Sequence, residues 1–141
     1  MTLNEHENYG RGVKFEHTFS GGNYRDLRNI TVNGDNITKV DLSFTGLHKL
    51  DVSKNTELKV LIFEFCGFSS IINLDLSKNT ELTYLKCFLP WMPEFDKWDS
   101  LYGSLHNNNI PGETKTIIIN KNKGDRSISE RKGWTLKFLN Q

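Results

Sequence analysis

Leu50–Leu58 reads LDVSKNTEL and Leu74–Leu82 reads LDLSKNTEL. Eight of the nine residues coincide, and the ninth sets Val52 against Leu76, one β-compatible apolar residue for another. Near-identity at a fixed offset of 24 residues marks a stacked repeat, in which each short unit is buried only by its neighbours. Accidental alternation on a β-sandwich would not repeat a nine-residue phrase at this period.

Working outward from the phrase, a six-residue frame LxxLxL recurs. It begins at Leu27 (with Ile30, Val32), Ile37 (Val40, Leu42), Leu47 (Leu50, Val52), Leu58 (Leu61, Phe63), Ile71 (Leu74, Leu76) and Leu82 (Leu85, Cys87). The intervals are 10, 10, 11, 13 and 11 residues. Two successive frames make up roughly 20–24 residues, the period of a leucine-rich repeat. The pattern predicts a coil with two straight edges per turn, the apolar positions of each frame pointing inward. Asn55 and Asn79 fall at the ninth frame position, where a buried amide satisfies backbone groups at a bend. Cys66 stands at the equivalent place in its own frame.

Before the frames, residues 1–12 are polar and are expected to fray. Val13–Phe19 alternates apolar and polar as a strand does, and it is expected to cover the first repeat, since a bare end would expose the core. Beyond Phe88 the rhythm breaks at Leu89-Pro90-Trp91-Met92-Pro93. A helix is predicted from Pro93, with Phe95, Trp98, Leu101 and Leu105 on one face. Thr116–Asn120 is a β-branched strand. Asp125 or Ser127 is placed to cap a second helix, with Glu130 as capping-box partner to Ser127. Gly133 ends that helix, and Trp134–Phe138 gives a last strand. The whole predicts one domain, 1–141, divided into an N-terminal tail and cap (1–26), repeats (27–88) and a C-terminal cap (89–141).

Composition narrows the function classes. The chain has 141 residues, enough for a single core, and a net charge of +1 with both signs interspersed. That excludes the basic stripe of a nucleic-acid binder and a polybasic membrane patch. No window approaches the roughly 18 apolar residues of a membrane helix. MTLNEHENYGRG at the N-terminus contains no apolar signal core, which leaves both a cytoplasmic location and a mature exported form open. Cys66 and Cys87 lie in no CxxC pattern and are expected to be buried structural thiols. His6, His17, His48 and His106 are scattered, with no metal-type spacing, and no GxSxG occurs.

With these residues assembled, the chain resembles the leucine-rich-repeat domains of secreted and surface proteins of Bacteroides-type bacteria. There LxxLxCxxNxL alternates with LxxLDLSxNTxL, and a helix, a TIYI-like strand and an SIAxxKGWTV-like segment close the domain. The corresponding segments here are the doubled SKNTEL phrase, Thr116-Ile117-Ile118-Ile119 and Ser127–Leu136 (SISERKGWTL). The resemblance implies an α/β solenoid: a short, right-handed leucine-rich-repeat coil with an N-terminal strand cap and a helix-strand-helix C-terminal cap. It also implies that the concave sheet lies at the frames from Ile37, Leu58 and Leu82, followed by Thr116–Asn120.

On that edge, period-2 alternation predicts three outward rows. They are Lys39, Val60, Tyr84, Thr116; then Asp41, Ile62, Lys86, Ile118; then Ser43, Glu64, Phe88, Asn120. Lys39, Asp41, Val60, Ile62, Glu64, Tyr84, Lys86, Phe88 and Ile118 are therefore the candidate binding residues, an apolar and charged mixture suited to a protein partner. Were the other edge concave, the outward residues would be Lys49, Asp51, Ser53, Asn73, Asp75 and Ser77. That polar strip supplies far fewer than the six to eight oxygens that Ca²⁺ needs. The expectation is thus a non-catalytic protein-binding module at a bacterial surface, with no cofactor, metal, nucleic acid or membrane insertion. The alternatives are a spacer or display domain without a ligand, and carbohydrate stacking on Trp91 and Trp98.

Overall fold

In the computed structural model, the described residues are 2–4, 18–20, 29–33, 36–43, 49–64, 74–88, 98–119 and 124–138. Along the chain come β1 (Thr2–Asn4), β2 (Thr18–Ser20), β3 (Asn29–Asn33), β4 (Lys39–Asp41), β5 (Lys49–Asp51), β6 (Val60–Glu64) and β7 (Tyr84–Phe88). After these follow α1 (Trp98–Ser104), β8 (Lys115–Ile119), α2 (Ser127–Glu130) and β9 (Trp134–Phe138). Every pairing among these strands is parallel. Up to β6 the chain alternates between two sheets, one ordered β1-β3-β5 and the other β2-β4-β6-β7-β8-β9.

Within each strand the apolar side chains of the frame take one side. Ile30, Val32, Ile37, Val40, Leu42, Leu50, Val52, Leu58, Leu61, Phe63, Leu74, Leu76, Leu82, Leu85 and Cys87 are all buried. These are the expected inward positions, save Leu27, Leu47 and Ile71, which lie outside the described residues. Both sheets contribute to one continuous core, extended by Trp98, Leu101, Tyr102, Leu105, Ile117, Ile119, Trp134 and Leu136. The central row Val40, Leu61, Leu85, Ile117, Leu136 is set by the register itself.

Both copies of the repeated phrase fold alike. The N–H of Asn55 donates to Val52 O at 3.0 Å and that of Leu58 to Asn55 O at 3.1 Å; Asn79 to Leu76 O (3.0 Å) and Leu82 to Asn79 O (3.3 Å) repeat the turn. The asparagines are buried, as expected. Nδ2 of Asn79 donates to Val52 O at 3.0 Å and to Asn55 O at 2.9 Å, so one amide ties the second bend to the first. One difference separates the copies. Lys49–Asp51 is a strand, whereas Leu74–Leu76 is not, and the Leu76 N–H donates to Ser104 Oγ of α1 at 3.1 Å. A helix takes the side where a neighbouring strand would pair.

At the N-terminus the expectation of a frayed tail over residues 1–12 is corrected for residues 2–4, where β1 pairs with β3, and the others lie outside the described residues. Val13–Phe19 is seen only at its end, in β2, which pairs with β4 so that Phe19 stands in the row of Val40. Residues 13–17 lie outside the described set, as does the expected helix start at Pro93. In the C-terminal part, β9 has the bounds read from sequence, and β8 starts one residue earlier than expected, at Lys115. The expected cap at Asp125 or Ser127 is corrected: the N-cap of α2 is Arg126, which makes no side-chain cap hydrogen bond, while Asp125 Oδ1 accepts from the N–H (3.0 Å) and hydroxyl (2.6 Å) of Ser127. The expected Ser127–Glu130 capping box is replaced by an Arg126–Glu130 ion pair at 2.6 Å. Gly133 leaves the helix at φ +82°, as a C-terminal glycine does, its N–H donating to Glu130 O.

Candidate functional site

All nine expected face residues lie on the six-stranded sheet. Lys39 and Asp41 are on β4; Val60, Ile62 and Glu64 on β6; Tyr84, Lys86 and Phe88 on β7; Ile118 on β8. The register joins Lys39, Val60, Tyr84 and Thr116 in one row and Asp41, Ile62, Lys86 and Ile118 in the next, with Glu64 beside Phe88 in a third. Neighbouring strands run about 4.8 Å apart, so each four-residue row spans roughly 14 Å.

Every described side chain of the two full rows is partly exposed. Half-burial has a local cause, since each side chain is flanked along its row by the next strand's. Val60 is registered with Tyr84 and Ile62 with Lys86, which places Val60, Ile62 and Tyr84 as neighbours on one side of β6 and β7. The side chains of Glu64 and Phe88, and all of Asn120, lie outside the described residues. Ser43 is corrected. Expected to face outward in the third row, it is buried at 7% exposure, and its N–H donates to Asp41 Oδ1 at 3.0 Å. Asp41 thereby closes a turn as well as facing outward.

Two further residues extend the face. Thr135 pairs with Thr116 and Lys137 with Ile118, and both are exposed. The alternation in Trp134–Phe138 carried their direction, and only the adjacency of β9 to β8 was hidden. At the other end of the sheet, Thr18 and Ser20 register with Lys39 and Asp41.

The opposite edge gathers no such surface. Asp51 Oδ1 accepts from the Ser53 hydroxyl (2.6 Å) and N–H (2.9 Å), and Asp75 Oδ1 from the Ser77 N–H (2.9 Å). The Ser53 hydroxyl, then its N–H, hold the Asp51 carboxyl below its ordinary range, and Ser77 does the same for Asp75. Each carboxylate serves its own turn. Among the described residues no group of three His, Cys, Asp or Glu side chains is placed to hold a metal ion.

Trp98 is 4% exposed, its ring 6.0 Å from that of Tyr102, so it presents no face on which a sugar would stack. This corrects the carbohydrate alternative as far as Trp98 is concerned; Trp91 lies outside the described residues. Cys87 is a fully buried thiol, and Cys66 lies outside the described residues. His106 is buried, with Nε2 2.7 Å from Leu82 O and Nδ1 accepting from the Asn108 N–H at 3.1 Å. A backbone N–H only donates, so the ring proton sits on Nε2 and both nitrogens are committed. Burial lowers its pKa and keeps the ring neutral. His6, His17 and His48 lie outside the described residues.

No protein-family model matches the chain, and neither a curated protein nor a solved structure does.

Proposed function

We propose that the chain is a short leucine-rich-repeat coil that works by non-covalent binding of a protein partner on the outer face of β4, β6, β7 and β8. One observation carries this reading: two registered rows in which partly exposed Val60, Ile62, Tyr84 and Ile118 alternate with Lys39, Asp41 and Lys86. A rigid parallel sheet holds these side chains at fixed spacing, so a partner would bury apolar area without ordering the site first. Tyr84 supports the same reading, as an amphipathic ring of the kind enriched at interface centres. The role is non-catalytic and needs no cofactor. Its location at a bacterial surface rests on the resemblance of the SKNTEL and KGWTL segments.

The test is affinity capture from bacterial envelope extract with the wild type, Ile62→Ser and Tyr84→Ala, using Lys54→Ala and Lys78→Ala on the opposite edge as controls. Partners held by the wild type and both controls, and lost by the two face variants, are the expected result. Equal recovery by all five proteins would favour a spacer without a ligand of its own.

A further inference from the structure

A cleft of about 430 Å³ opens in the C-terminal part of the chain. Its walls are the loop from Asn107 to Lys115 and the turn Arg131–Gly133. Three of its lining side chains are cationic, Lys115, Arg131 and Lys132, against one carboxylate, Glu113.

The two lysines are unusual in their surroundings. Lys115 is only 6% exposed, and its Nζ donates to Lys132 O and lies 5.5 Å from the Trp134 ring centroid. Lys132 Nζ donates to Leu105 O at 2.8 Å and to Gly103 O, closing the end of α1. Carbonyl oxygens orient these ammoniums without cancelling their charge. Among the described residues neither lysine forms an ion pair with a carboxylate, and Arg131 acts on the Asp125 carboxylate only through its charge, without a hydrogen bond to it. Burial, then the charge of Lys132, lowers the Lys115 pKa. Lys115 is the buried one of the three, with Lys132 half-buried and Arg131 exposed; a cation buried against a carbonyl and an indole ring is costly, and the group that would relieve it is an anion.

We propose that this cleft is a binding site for an oxyanion, a carboxylate, sulfate or phosphate group carried on a small ligand. Lys115 and Lys132 supply positive charge to its lining, and each retains at least one N–H beyond those given to carbonyls. Arg131, exposed and among the lining residues, supplies a planar fork suited to two oxygens at once. Asn107 and Asn109 offer amides to the uncharged remainder of the ligand. Glu113, the carboxylate among the lining residues, repels an anion, so its charge weakens the affinity. The volume falls in the range of small-molecule sites.

The experiment titrates the full chain separately with sodium acetate, sulfate and phosphate, following backbone amide and lysine side-chain NMR signals. Sodium chloride at matched ionic strength is the control. Saturable shifts confined to Asn109, Lys115, Lys132 and Gly133 are expected, with the Lys115 ammonium titrating higher when the anion is bound. Arg131→Gln should weaken binding about fivefold and Glu113→Gln should tighten it about fivefold. Opposite shifts in these two variants cannot come from loss of folding. The three anions distinguish a carboxylate ligand from a sulfate or phosphate one. Shifts that chloride reproduces, or equal affinity in both variants, would overturn the site.

Discussion

Asn79→Ala is the substitution that most directly tests how the repeated phrase holds the fold. Asn79 is fully buried, and its Nδ2 donates to Val52 O and Asn55 O, 27 and 24 residues earlier. Alanine deletes both hydrogen bonds, worth about 1 kcal/mol each net. It also leaves two buried carbonyls with one donor fewer and a void where the amide stood, which adds roughly 1–2 kcal/mol. Oδ1 accepts no hydrogen bond, so its removal costs nothing and returns part of that sum. The expected loss is about 3 kcal/mol, a large share of the total stability of a domain this size. Urea unfolding followed by circular dichroism measures it, with exposed Lys78→Ala as a control expected within about 0.5 kcal/mol of wild type. Asn79→Asp sharpens the test. Two carbonyls facing a carboxylate disfavour its charge, so its folded pKa rises. That variant should be most stable below about pH 4, the unfolded value, and lose stability as pH rises. An Asn79→Ala protein within about 0.5 kcal/mol of wild type would refute the tie between the two bends.

Leu61→Ala and Leu85→Ala remove fully buried, register-paired side chains and should each cost about 2–5 kcal/mol in the same assay; melting within a degree of wild type would contradict their inward placement. Gly124 holds φ +70°, and an added Cβ would stand 2.6 Å from Trp98 Cβ, so Gly124→Ala should lose at least about 2 kcal/mol. Gly103, inside α1 with nothing within 4 Å of an added Cβ, should instead gain about 0.5–1 kcal/mol as alanine, and equal effects at the two sites would remove the steric argument. His106 has its folded pKa lowered chiefly by burial, with Lys115 and Lys132 also opposing the cation and the Leu82 O contact and Glu81 favouring it. Its contribution to stability is therefore present above about pH 6.5 and lost as pH falls through the folded value, and His106→Gln should flatten that part of the pH–stability curve.

Which residues point inward was legible because burial here follows a short period. The apolar side chains at the first, fourth and sixth places of a frame have one side to go to, and Leu58, Leu61 and Phe63 take it as Leu82, Leu85 and Cys87 do. The rows Lys39–Val60–Tyr84–Thr116 and Asp41–Ile62–Lys86–Ile118 followed from the same alternation once the resemblance had set which frames share an edge with Thr116–Asn120. Ser43 was misplaced because alternation assumes that the strand continues, whereas β4 ends at Asp41 and the Asp41 carboxylate draws the next N–H into a turn. Glu130 was assigned to Ser127 on spacing alone; Asp125 already satisfied Ser127, which left Glu130 to Arg126. The basic cleft had no signature at all. Lys115 and Lys132 lie 17 residues apart in unlike segments, and only the packing of β8 beside β9 brings them together.

The doubled phrase ends at Leu82, but its spacing does not. Asn79 reaches back 24 residues to Asn55 O, Thr83 Oγ1 reaches back 24 residues to Lys59 O, and His106 Nε2 reaches back 24 residues to Leu82 O. Trp134 Nε1 then takes His106 O at 3.0 Å, 28 residues on. Side-chain donors thus keep meeting the previous turn's carbonyls where the apolar phrase has stopped. That explains how the closing segment, with its helices and aromatic side chains, sits on the core without a copy of the repeat. The bend needs a buried donor at a fixed height, and an asparagine amide, a histidine Nε2–H or an indole N–H will each supply one. Residue identity is free to change there so long as a donor remains, whereas the inward leucines must keep their volume. On the outer face neither constraint applies, and Tyr84, Ile62 and Ile118 are placed by the scaffold without being required by it.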